Sequence, residues 1–365
     1  MLRKFRVTGY RGFRDELEFD LTKVHDYEFN RHLIRSGLVS SGVIYGANGS
    51  GKSSLGFALF DIVGMLTDYE LASPMKDKSA YINAEMELGV AKFEYEFEFN
   101  GHVVEYAYIK SGPEEIREEM LTDRGRVILF RSGTEMTYTN KGLKVPELPP
   151  HMSALRYVYR NTPLEETDVI AETIRFAGKM LWFRSLNSRG YCGYTSGSSE
   201  LTDELDTSDK LKEFEQYLED VAGIRMKLEL SVSAPSGKRE LYIVYPNRKI
   251  EFFKASSTGT QELLLLYYWK TYALKDVKFL FIDEFDAFYH YELAAKIVRD
   301  ISVRKGMQSF FTSHNTYLAT NRIMRPDCFF ILTGGRITSF ADATERELRE
   351  GHNLEKLLRS GEFGV

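Results

Sequence analysis

The 365-residue sequence predicts an α/β fold that also carries antiparallel β segments and a helical insertion. Three observations support this prediction. A buried-strand pattern leads into a glycine-rich turn and an amphipathic helix, and a second apolar strand much later in the chain ends in two carboxylates. The segments between them alternate apolar and polar residues, which is typical of antiparallel strands. Hydrophobic residues make up 43% of the chain, enough to bury one large core or two smaller lobes.

Composition excludes several classes of protein. Lys and Arg number 48 against 53 Asp and Glu, so the bulk charge does not favour nucleic-acid coating or membrane-surface binding, and any DNA contact should be local. Cys192 and Cys328 lack a C-x-x-C spacing, which suits a reducing compartment. The N-terminus lacks a signal-peptide pattern, and the longest apolar run, residues 263–269, is too short to span a bilayer. We expect a soluble, cytoplasmic protein with no membrane partner.

Four segments are predicted along the chain. Residues 1–150 should form the first half of the main lobe, with a strand pair in 2–19, a buried strand in 38–45, a helix from 55 to 66 and a hairpin around Asn100-Gly101. Residues 151–225 are predicted to be a mainly helical insertion, interrupted by the polar stretch 187–209. Residues 226–340 should hold a second antiparallel patch, in 226–253 with turns at Ser236-Gly237 and Pro246-Asn247, and the second half of the lobe. A helical tail is predicted for 341–365. The sequence shows no internal repeat and no sustained heptads.

The first motif is Gly46-Ala47-Asn48-Gly49-Ser50-Gly51-Lys52-Ser53, which matches G-x-x-x-x-G-K-[ST] between a predicted strand and a predicted helix. Its glycines let backbone N–H groups face phosphate oxygens, and the helix N-terminus adds a positive dipole. We expect Lys52 to reach the terminal phosphates of ATP and Ser53 to ligate Mg²⁺. The predicted nucleotide contacts are Gly46, Asn48, Gly49, Gly51, Lys52, Ser53 and Ser54. The alternative is a glycine-rich turn that matches by chance.

The second motif is the acidic end of an apolar strand, residues 278–284. Asp283 is predicted to support Mg²⁺, and Glu284 to act as the base that directs the attacking water. The alternative is that the two carboxylates cap the next helix. Asp283 lies 231 residues after Lys52, whereas one βαβ unit needs only about 30 residues. A substantial insertion therefore separates the two motifs.

The third motif is a helix start at Ser257-Thr258-Gly259-Thr260-Gln261, before the apolar run. Such a start binds anions, although an ordinary Ser/Thr cap is the alternative. The motif resembles the ABC signature, with Thr258, Gly259, Thr260 and Gln261 in place of Ser-Gly-Gly-Gln. The resemblance implies that this element closes over the γ-phosphate held by a second protomer.

Two further matches follow in the order expected for that class. Asp286 resembles the D-loop aspartate and is followed by Tyr289-His290. His314 ends the strand pattern of residues 310–315 and resembles the switch histidine that senses the γ-phosphate. A lone histidine is more often structural, but its place at a strand end favours a functional role. The motifs in this order predict an ABC-ATPase-type P-loop fold with catalytic residues Lys52, Glu284 and His314.

The opening Gly9-Tyr10-Arg11-Gly12-Phe13 resembles the Asn-Phe-Arg-x-Phe start of RecF, SMC-like and OLD-type ATPases, and Ser313-His314-Asn315 is similar to their Ser-His-Asn/Ser. The hairpin near residues 95–108 and the tail 353–364 resemble the AAA-family ATPases of OLD and abortive-infection defence systems. This resemblance covers nearly the whole chain. It implies a homodimer with ATP between its protomers, an anti-phage or DNA-associated role, and a separate nuclease or toxin effector.

Two features depart from that pattern. No glutamine occurs between Lys52 and Gln216, so the glutamine loop that couples nucleotide to the helical lobe is missing or replaced. No segment for the TOPRIM nuclease domain of full OLD proteins follows His314, so we expect any nuclease activity to belong to another chain.

Four other readings of the sequence were considered. A transporter ATPase would carry a full Leu-Ser-Gly-Gly-Gln and a glutamine loop, and a switch GTPase would need an aspartate that Asn140-Lys141-Gly142-Leu143 lacks. Two alternatives stay open: a scaffold whose dimer is fastened by slowly hydrolysed ATP, and a RecF-like repair ATPase stimulated by DNA. Phosphate contacts by arginines would favour the latter, although scattered arginines are more often surface residues. The candidates are Arg11, Arg14, Arg156 and Arg160.

Overall fold

The computed structural model describes residues 1–69, 73–139, 147–184, 190–193, 205, 207–232 and 239–364. These form two seven-stranded sheets, a three-stranded sheet, a two-stranded ribbon and eight α-helices within the described ranges. The strands are β1 Leu2–Thr8, β2 Leu17–Asp20, β3 Ile34–Arg35, β4 Leu38–Val39, β5 Ser41–Tyr45, β6 Ala91–Phe99, β7 His102–Gly112, β8 Glu115–Asp123, β9 Arg126–Ser132, β10 Glu135–Tyr138, β11 Met180–Arg184, β12 Gly190–Gly193, β13 Lys227–Val232, β14 Arg239–Val244, β15 Lys249–Glu251, β16 Phe279–Asp283, β17 Gln308–Thr312, β18 Phe329–Thr333 and β19 Arg336–Ser339. The helices are α1 Lys52–Leu66, α2 Ala154–Asn161, α3 Val169–Ala177, α4 Ser208–Ala222, α5 Phe252–Ala255, α6 Thr258–Tyr268, α7 Tyr291–Ser302 and α8 Leu354–Arg359.

The central sheet has the order β12-β11-β16-β17-β5-β18-β19. Its strands β11, β16, β17, β5 and β18 run parallel, and the two outer strands pair antiparallel. Every residue of β5, β16 and β17 is buried, as expected for parallel strands covered on both faces. Because the strands are parallel, the residues that follow β5, β16 and β17 meet at one edge, called here the carboxyl edge.

Helix α1 follows β5 and lies between the central sheet and the antiparallel sheet β10-β9-β8-β7-β6-β1-β2. On one side, a Cβ at Gly56 would lie 2.8 Å from Trp182 Cζ2 and 3.0 Å from Phe281 Cε1, so glycine permits this close approach. On the other side, the Tyr95 hydroxyl donates to the Ala58 carbonyl at 3.0 Å. The helix that starts at the glycine-rich loop is thus held by both sheets.

A buried charged cluster anchors α1 to the antiparallel sheet. The Asp61 carboxylate accepts hydrogen bonds from Tyr81 at 2.7 Å, Tyr108 at 2.9 Å and the Lys110 ammonium at 3.0 Å. Both charges are almost fully buried, and mutual pairing together with the phenol donors offsets the desolvation that burial imposes.

The predicted elements are largely present. The strand pair in 2–19, the buried strand before the glycine-rich turn, the helix after it and the hairpin at Asn100-Gly101 are confirmed. The second antiparallel patch forms the sheet β13-β14-β15, although its predicted turn at Ser236-Gly237 lies outside the described residues. In the predicted C-terminal tail the described helix is α8. The four-segment division of the chain stays a prediction.

The mainly helical interpretation of residues 151–225 is wrong for one part. Helices α2, α3 and α4 are present, but β11 and β12 join the central sheet. Four of the five residues of β11 are buried in an apolar run without period, and periodicity alone does not separate such a strand from a buried helix segment. Most of the polar stretch 187–209, and the guanine-like segment 140–143, lie outside the described residues.

Candidate nucleotide-binding site

The loop between β5 and α1 has a backbone shape that requires glycine. Gly49 and Gly51 have φ values of 78° and 103°, in the left-handed region. A Cβ at Gly46 would lie 2.4 Å from Ser50 Oγ and 2.6 Å from the Leu332 carbonyl oxygen. A Cβ at Gly51 would meet the Phe13 ring at 3.0 Å. The glycines therefore allow a tight turn braced by β18 and by the opening loop.

Lys52 places its charge inside this turn. The side chain is 6% exposed, and Nζ donates to the carbonyls of Gly46 at 2.8 Å and Ala47 at 3.2 Å. Burial lowers the pKa of Lys52, while the nearby carboxylates of Asp283 and Glu284 act to raise it. The ammonium thus lies in the electrostatic field of both acidic residues of the carboxyl edge.

The loop offers hydrogen-bond donors that suit a phosphate group. Helix α1 begins at Lys52 with Gly51 as its N-cap, and no side chain satisfies the first N–H groups. The buried Ser50 hydroxyl oxygen makes no hydrogen bond to any other group in the described part of the chain. Uncapped N–H donors at a helix start, a buried ammonium and a buried hydroxyl without a hydrogen bond in the described residues are the features of an anion site.

Asp283 ends β16 at the same edge. It is 6% exposed, and its Oδ1 accepts a hydrogen bond from Thr312 Oγ1 at 2.6 Å. The carboxylate and the Ser53 hydroxyl, in the first turn of α1, are hard oxygen ligands of the kind Mg²⁺ takes together with phosphate oxygens. Across the described ranges, no cluster of three His, Cys, Asp or Glu side chains could hold a metal by itself. The residues therefore fit a magnesium ion whose other ligands would be phosphate oxygens of a nucleotide.

Glu284 adopts an unusual backbone conformation just after β16. Its φ is 50°, in the left-handed region, and its N–H donates to Thr312 Oγ1 at 2.7 Å. One threonine hydroxyl therefore fixes both carboxylate residues. Strained non-glycine backbone of this kind is found mostly where the side chain has a functional direction.

His314 and Asp286 complete the carboxyl edge. His314 Nε2 lies 4.0 Å from Glu284 Oε1, and these side chains are 42% and 31% exposed. Burial, followed by the Lys52 charge, lowers the pKa of His314, although the neighbouring carboxylates oppose this. Ser313 Oγ donates to Asp286 Oδ2 at 2.7 Å, and burial raises the pKa of Asp286. The structure thus brings Lys52, Asp283, Glu284 and His314 together at the carboxyl edge, and their catalytic and binding roles stay predictions.

The helix start at Thr258 lies elsewhere. The Ser257 side chain caps α6 by accepting a hydrogen bond from the Thr260 N–H. Gln261 Nε2 donates hydrogen bonds to the carbonyl oxygens of Phe253 and Ser256. A Cβ at Gly259 would lie 2.8 Å from the Phe288 carbonyl oxygen, so the helix start contacts the loop between β16 and α7.

The glycine-rich loop contacts β18, whereas the helix start contacts the loop after β16. The loop itself leaves β5, and β17 lies between β5 and β16 in the sheet order. The helix start and the phosphate loop therefore contact different parts of the sheet.

Two residues without a predicted role shape the site. Thr312 Oγ1 is hydrogen-bonded to both Asp283 and Glu284. The sequence feature that could have indicated this role is the position of Thr312 at the end of the strand before the predicted switch histidine. Arg184 ends β11 and pairs in register with Asp283. Because the segment that contains β11 was predicted to be mainly helical, no sequence pattern placed Arg184 at the carboxyl edge.

The four candidate arginines do not form an open basic patch. Arg14 pairs with Glu85 at 3.0 Å, and Arg156 and Arg160 both pair with Asp68. The Arg11 guanidinium lies 4.3 Å from the centre of the Phe57 ring. Their contacts are with groups of the same chain, as expected of ordinary surface and packing arginines.

The strand order, the phosphate loop, the acidic strand, the helix start at Thr258 and the histidine after β17 define an ABC/SMC-like P-loop ATPase fold. A family model described as "AAA domain, putative AbiEii toxin, Type IV TA system" matches residues 171–320. No curated protein matches the sequence. In the described part of the chain, no helix is both long and apolar enough to cross a membrane.

Solved structures that are similar to this chain include SMC heads. The SMC head domain from Thermotoga maritima is 15% identical, with 93% of this chain and 97% of that chain covered and a TM-score of 0.42. An SmcHead bound to the C-winged helix domain of ScpA is 15% identical over the same shares, with a TM-score of 0.45. An Smc head derived from Pyrococcus furiosus, with an extended coiled coil and bound to the C-terminal domain of ScpA, is 12% identical over 99% and 98%, with a TM-score of 0.43.

Proposed function

We propose that this chain is a cytoplasmic, Mg²⁺-dependent ATPase that works as an ATP-sandwiched homodimer and controls a separate effector, such as a nuclease or toxin, in bacterial anti-phage defence. The observation that supports a dimer is that the phosphate loop and the start of α6 are separated within one chain. The phosphate loop leaves β5 and contacts β18, whereas the start of α6 contacts the loop after β16, on the far side of β17, and each has the backbone N–H groups of a helix start. A second copy is needed to bring Thr258, Gly259 and Thr260 onto the γ-phosphate.

The exposure of the carboxyl edge supports the same proposal. Lys52 and Asp283 are buried, yet Glu284 and His314 remain 31% and 42% exposed. Hydrolysis needs an environment from which bulk water is excluded, because electrostatic stabilisation is stronger there. Docking of a second copy over this edge supplies that exclusion and makes hydrolysis depend on dimer formation.

The mechanism follows from the positions of the side chains. Lys52 and the N–H groups of the loop would hold the β- and γ-phosphates, while Ser53 and Asp283 would hold Mg²⁺, which would neutralise phosphate charge. Glu284 orients a water molecule and accepts its proton. The water oxygen bonds to the γ-phosphorus, the bond to the bridging oxygen breaks, and its electron pair leaves on ADP. Loss of the γ-phosphate removes the contact with the partner's helix start, and the dimer opens.

We expect ATP hydrolysis to fall in acid as His314 takes up a proton. Its pKa is held below the ordinary 6.5 by burial and by Lys52, so the imidazole is neutral at pH 7. Below that pKa the imidazolium, 4.0 Å from Glu284, would attract the carboxylate that must direct water. Because this pKa is lowered, we expect log kcat to decline only at pH values below the ordinary 6.5 in the wild type, and to lose this decline in His314→Gln.

The measurement is kcat between roughly pH 5.5 and 8 at saturating ATP. The matched control is the exposed His151→Gln, which should keep the wild-type profile. If log kcat of His314→Gln still declines at low pH as in the wild type, the decline is due to the titration of another group.

Two resemblances support the defence role. It comes from the resemblance of the opening and tail segments to OLD and abortive-infection ATPases, and from the family model whose description names a putative AbiEii toxin and a type IV toxin–antitoxin system. An ATP-gated dimer suits such a role, because nucleotide state sets which surface is presented to an effector.

Native mass measurement of the chain with the product of its neighbouring gene tests this role. We expect ATP and Mg²⁺ to give a dimer that carries the neighbour, and ADP to give a different assembly. If the chain dimerises without the neighbour and DNA raises its ATPase rate, the RecF-like repair function replaces the defence proposal. If ATP leaves the mass of the chain unchanged, the dimer proposal itself is wrong.

A further inference from the structure

A cavity of about 360 Å³ lies at the edge of the central sheet where β16 and β17 begin, called here the amino edge. The loops before these two strands, helix α3 and the hairpin between β6 and β7 form its wall. Because β16 has five residues, its start is roughly 15 Å from its acidic end. The cavity is therefore separate from the candidate ATP site, and its size is that of a small-molecule pocket. The lining residues used below are Phe99, Asn100, Glu172, Arg175, Phe176 and Lys278.

Glu172, in the first turn of α3, has one carboxylate oxygen without a partner. Its Oε1 accepts a hydrogen bond from Asn100 Nδ2 at 2.7 Å, whereas its Oε2 is buried and has no hydrogen bond to any residue that the structure describes. A buried acceptor that is left unpaired costs free energy, so native proteins give most such atoms a partner. A ligand that carries an N–H group would supply the missing donor.

Two cations line the same cavity. The Lys278 side chain is exposed and forms no ion pair with a described residue, and its Nζ lies 3.9 Å from the position that a Cβ on Gly306 would take. Arg175 donates a hydrogen bond to the Glu166 carbonyl oxygen at 2.9 Å, which leaves the guanidinium charge unbalanced. The cavity therefore favours a ligand that also has an anionic group.

The other charged groups of the wall do not cancel these two cations. The Glu98 carboxylate pairs with Arg3 at 2.9 Å, so its charge is already balanced. The Met1 amine donates to the Glu98 carbonyl oxygen at 2.7 Å, and burial lowers the pKa of this amine to about 6. It therefore adds little charge at pH 7, and Glu172 alone opposes the two cations.

Aromatic rings form the apolar part of the wall. Phe99 and Phe176 are buried, and their ring centres lie 6.2 Å apart. The Phe176 ring also lies 6.4 Å from that of Phe279, the first residue of β16. A flat aromatic ligand packs well against such a wall. The cavity thus combines a hydrogen-bond acceptor, an apolar wall and positive charge.

We propose that this cavity binds a nucleotide unit whose base carries an amine, namely adenine, cytosine or guanine. An N–H of the base donates to Glu172 Oε2, and the base packs against Phe99 and Phe176. Lys278 and Arg175 bind the phosphate. Uracil is disfavoured, because its N3–H is flanked by two carbonyl oxygens that the carboxylate repels. Two sources supply such a unit, a free mononucleotide and a nucleic-acid strand. The proposal goes beyond the ATPase function and does not depend on it.

The test measures binding of AMP, GMP, CMP and UMP by calorimetry in a Lys52→Ala background, which removes the candidate ATP site. We expect saturable binding of the three amine-bearing nucleotides and about tenfold weaker binding of UMP. Glu172→Gln puts an N–H donor in place of Oε2 and should weaken binding of those three about tenfold. Lys278→Ala should weaken binding of all four about fivefold, because it removes a charge from the phosphate.

The matched controls are Lys275→Ala, an exposed lysine in the same loop as Lys278, and Glu165→Gln, an exposed carboxylate before α3. Both should bind as the background variant does, and a melting curve checks that each variant is folded. A 5′-phosphorylated adenine oligonucleotide separates the two sources. Tighter binding of the oligonucleotide than of AMP identifies a strand as the ligand, and tighter binding of AMP identifies the free nucleotide.

Three results would overturn the proposal. The first is that no monophosphate binds at about 1 mM in the folded background variant. The second is that UMP binds as tightly as the other three nucleotides. The third is that Glu172→Gln or Lys278→Ala leaves the affinities within twofold of the background. None of these results bears on the proposed ATPase, because the background variant already lacks Lys52.

Discussion

Glu284→Gln should lower ATP hydrolysis by at least about 100-fold and leave ATP bound. The amide keeps the shape of the side chain and the N–H bond to Thr312, but it does not accept the proton of the attacking water. Lys52, Ser53 and Asp283 are unchanged, so the nucleotide contacts remain. We therefore expect this variant to accumulate as a closed dimer with ATP and Mg²⁺, seen as a doubled mass in native conditions.

The matched control for this variant is Glu345→Gln, an exposed carboxylate near the C-terminus. It should hydrolyse ATP at the wild-type rate and dimerise only transiently. Equal turnover by Glu284→Gln and wild type would remove Glu284 from the role of base, even if the dimer still formed.

Lys52→Ala should abolish nucleotide binding, with affinity for ATP reduced by at least about 100-fold. The ammonium is buried in the turn, where hydrogen bonds to charged groups contribute roughly 1.5–3 kcal/mol each. The measurement is titration with a fluorescent ATP analogue, beside a melting curve that checks folding. Lys305→Ala, an exposed lysine after α7, is the control and should bind as wild type. Near-normal affinity in a folded Lys52→Ala would contradict the assignment of the phosphate loop.

Mixing variants tests whether one site is built from two chains. Thr258→Asp puts a carboxylate at the exposed start of α6, where it suits the helix dipole but repels the partner's γ-phosphate. Alone, this variant should bind ATP and hydrolyse little, whereas the neutral Thr258→Asn should stay active. Combined with Lys52→Ala, it should regain hydrolysis, because one composite site has an intact loop and an intact helix start. An inactive mixture would favour a site completed within one chain.

Much of the site could be predicted from local sequence. The glycine-rich loop, Lys52 and α1 were recognisable because residues 46–66 combine a spaced motif with a strand before it and a helix after it. Asp283, Glu284 and His314 were recognisable as polar residues that end apolar strands. The hairpin at Asn100-Gly101 followed from strict alternation and a favoured turn.

Other features depended on contacts between distant residues. β11 was not predicted because a buried parallel strand has no alternation, and its partner β16 lies about a hundred residues later in the chain. The role of Thr312 is visible only where β16 and β17 lie side by side. Arg184 acquires its place beside Asp283 for the same reason.

The sequence by itself determined the chemistry: a phosphate loop, two carboxylates, a histidine and a helix start suited to an anion. The tertiary structure alone decided which of these groups meet. Sheet order brings four of them to one edge, whereas the helix start contacts the loop after β16, with β17 between that strand and β5. The physical reason is that motifs are local, set by backbone conformation over a few residues, whereas strand neighbours are chosen by burial of the whole core.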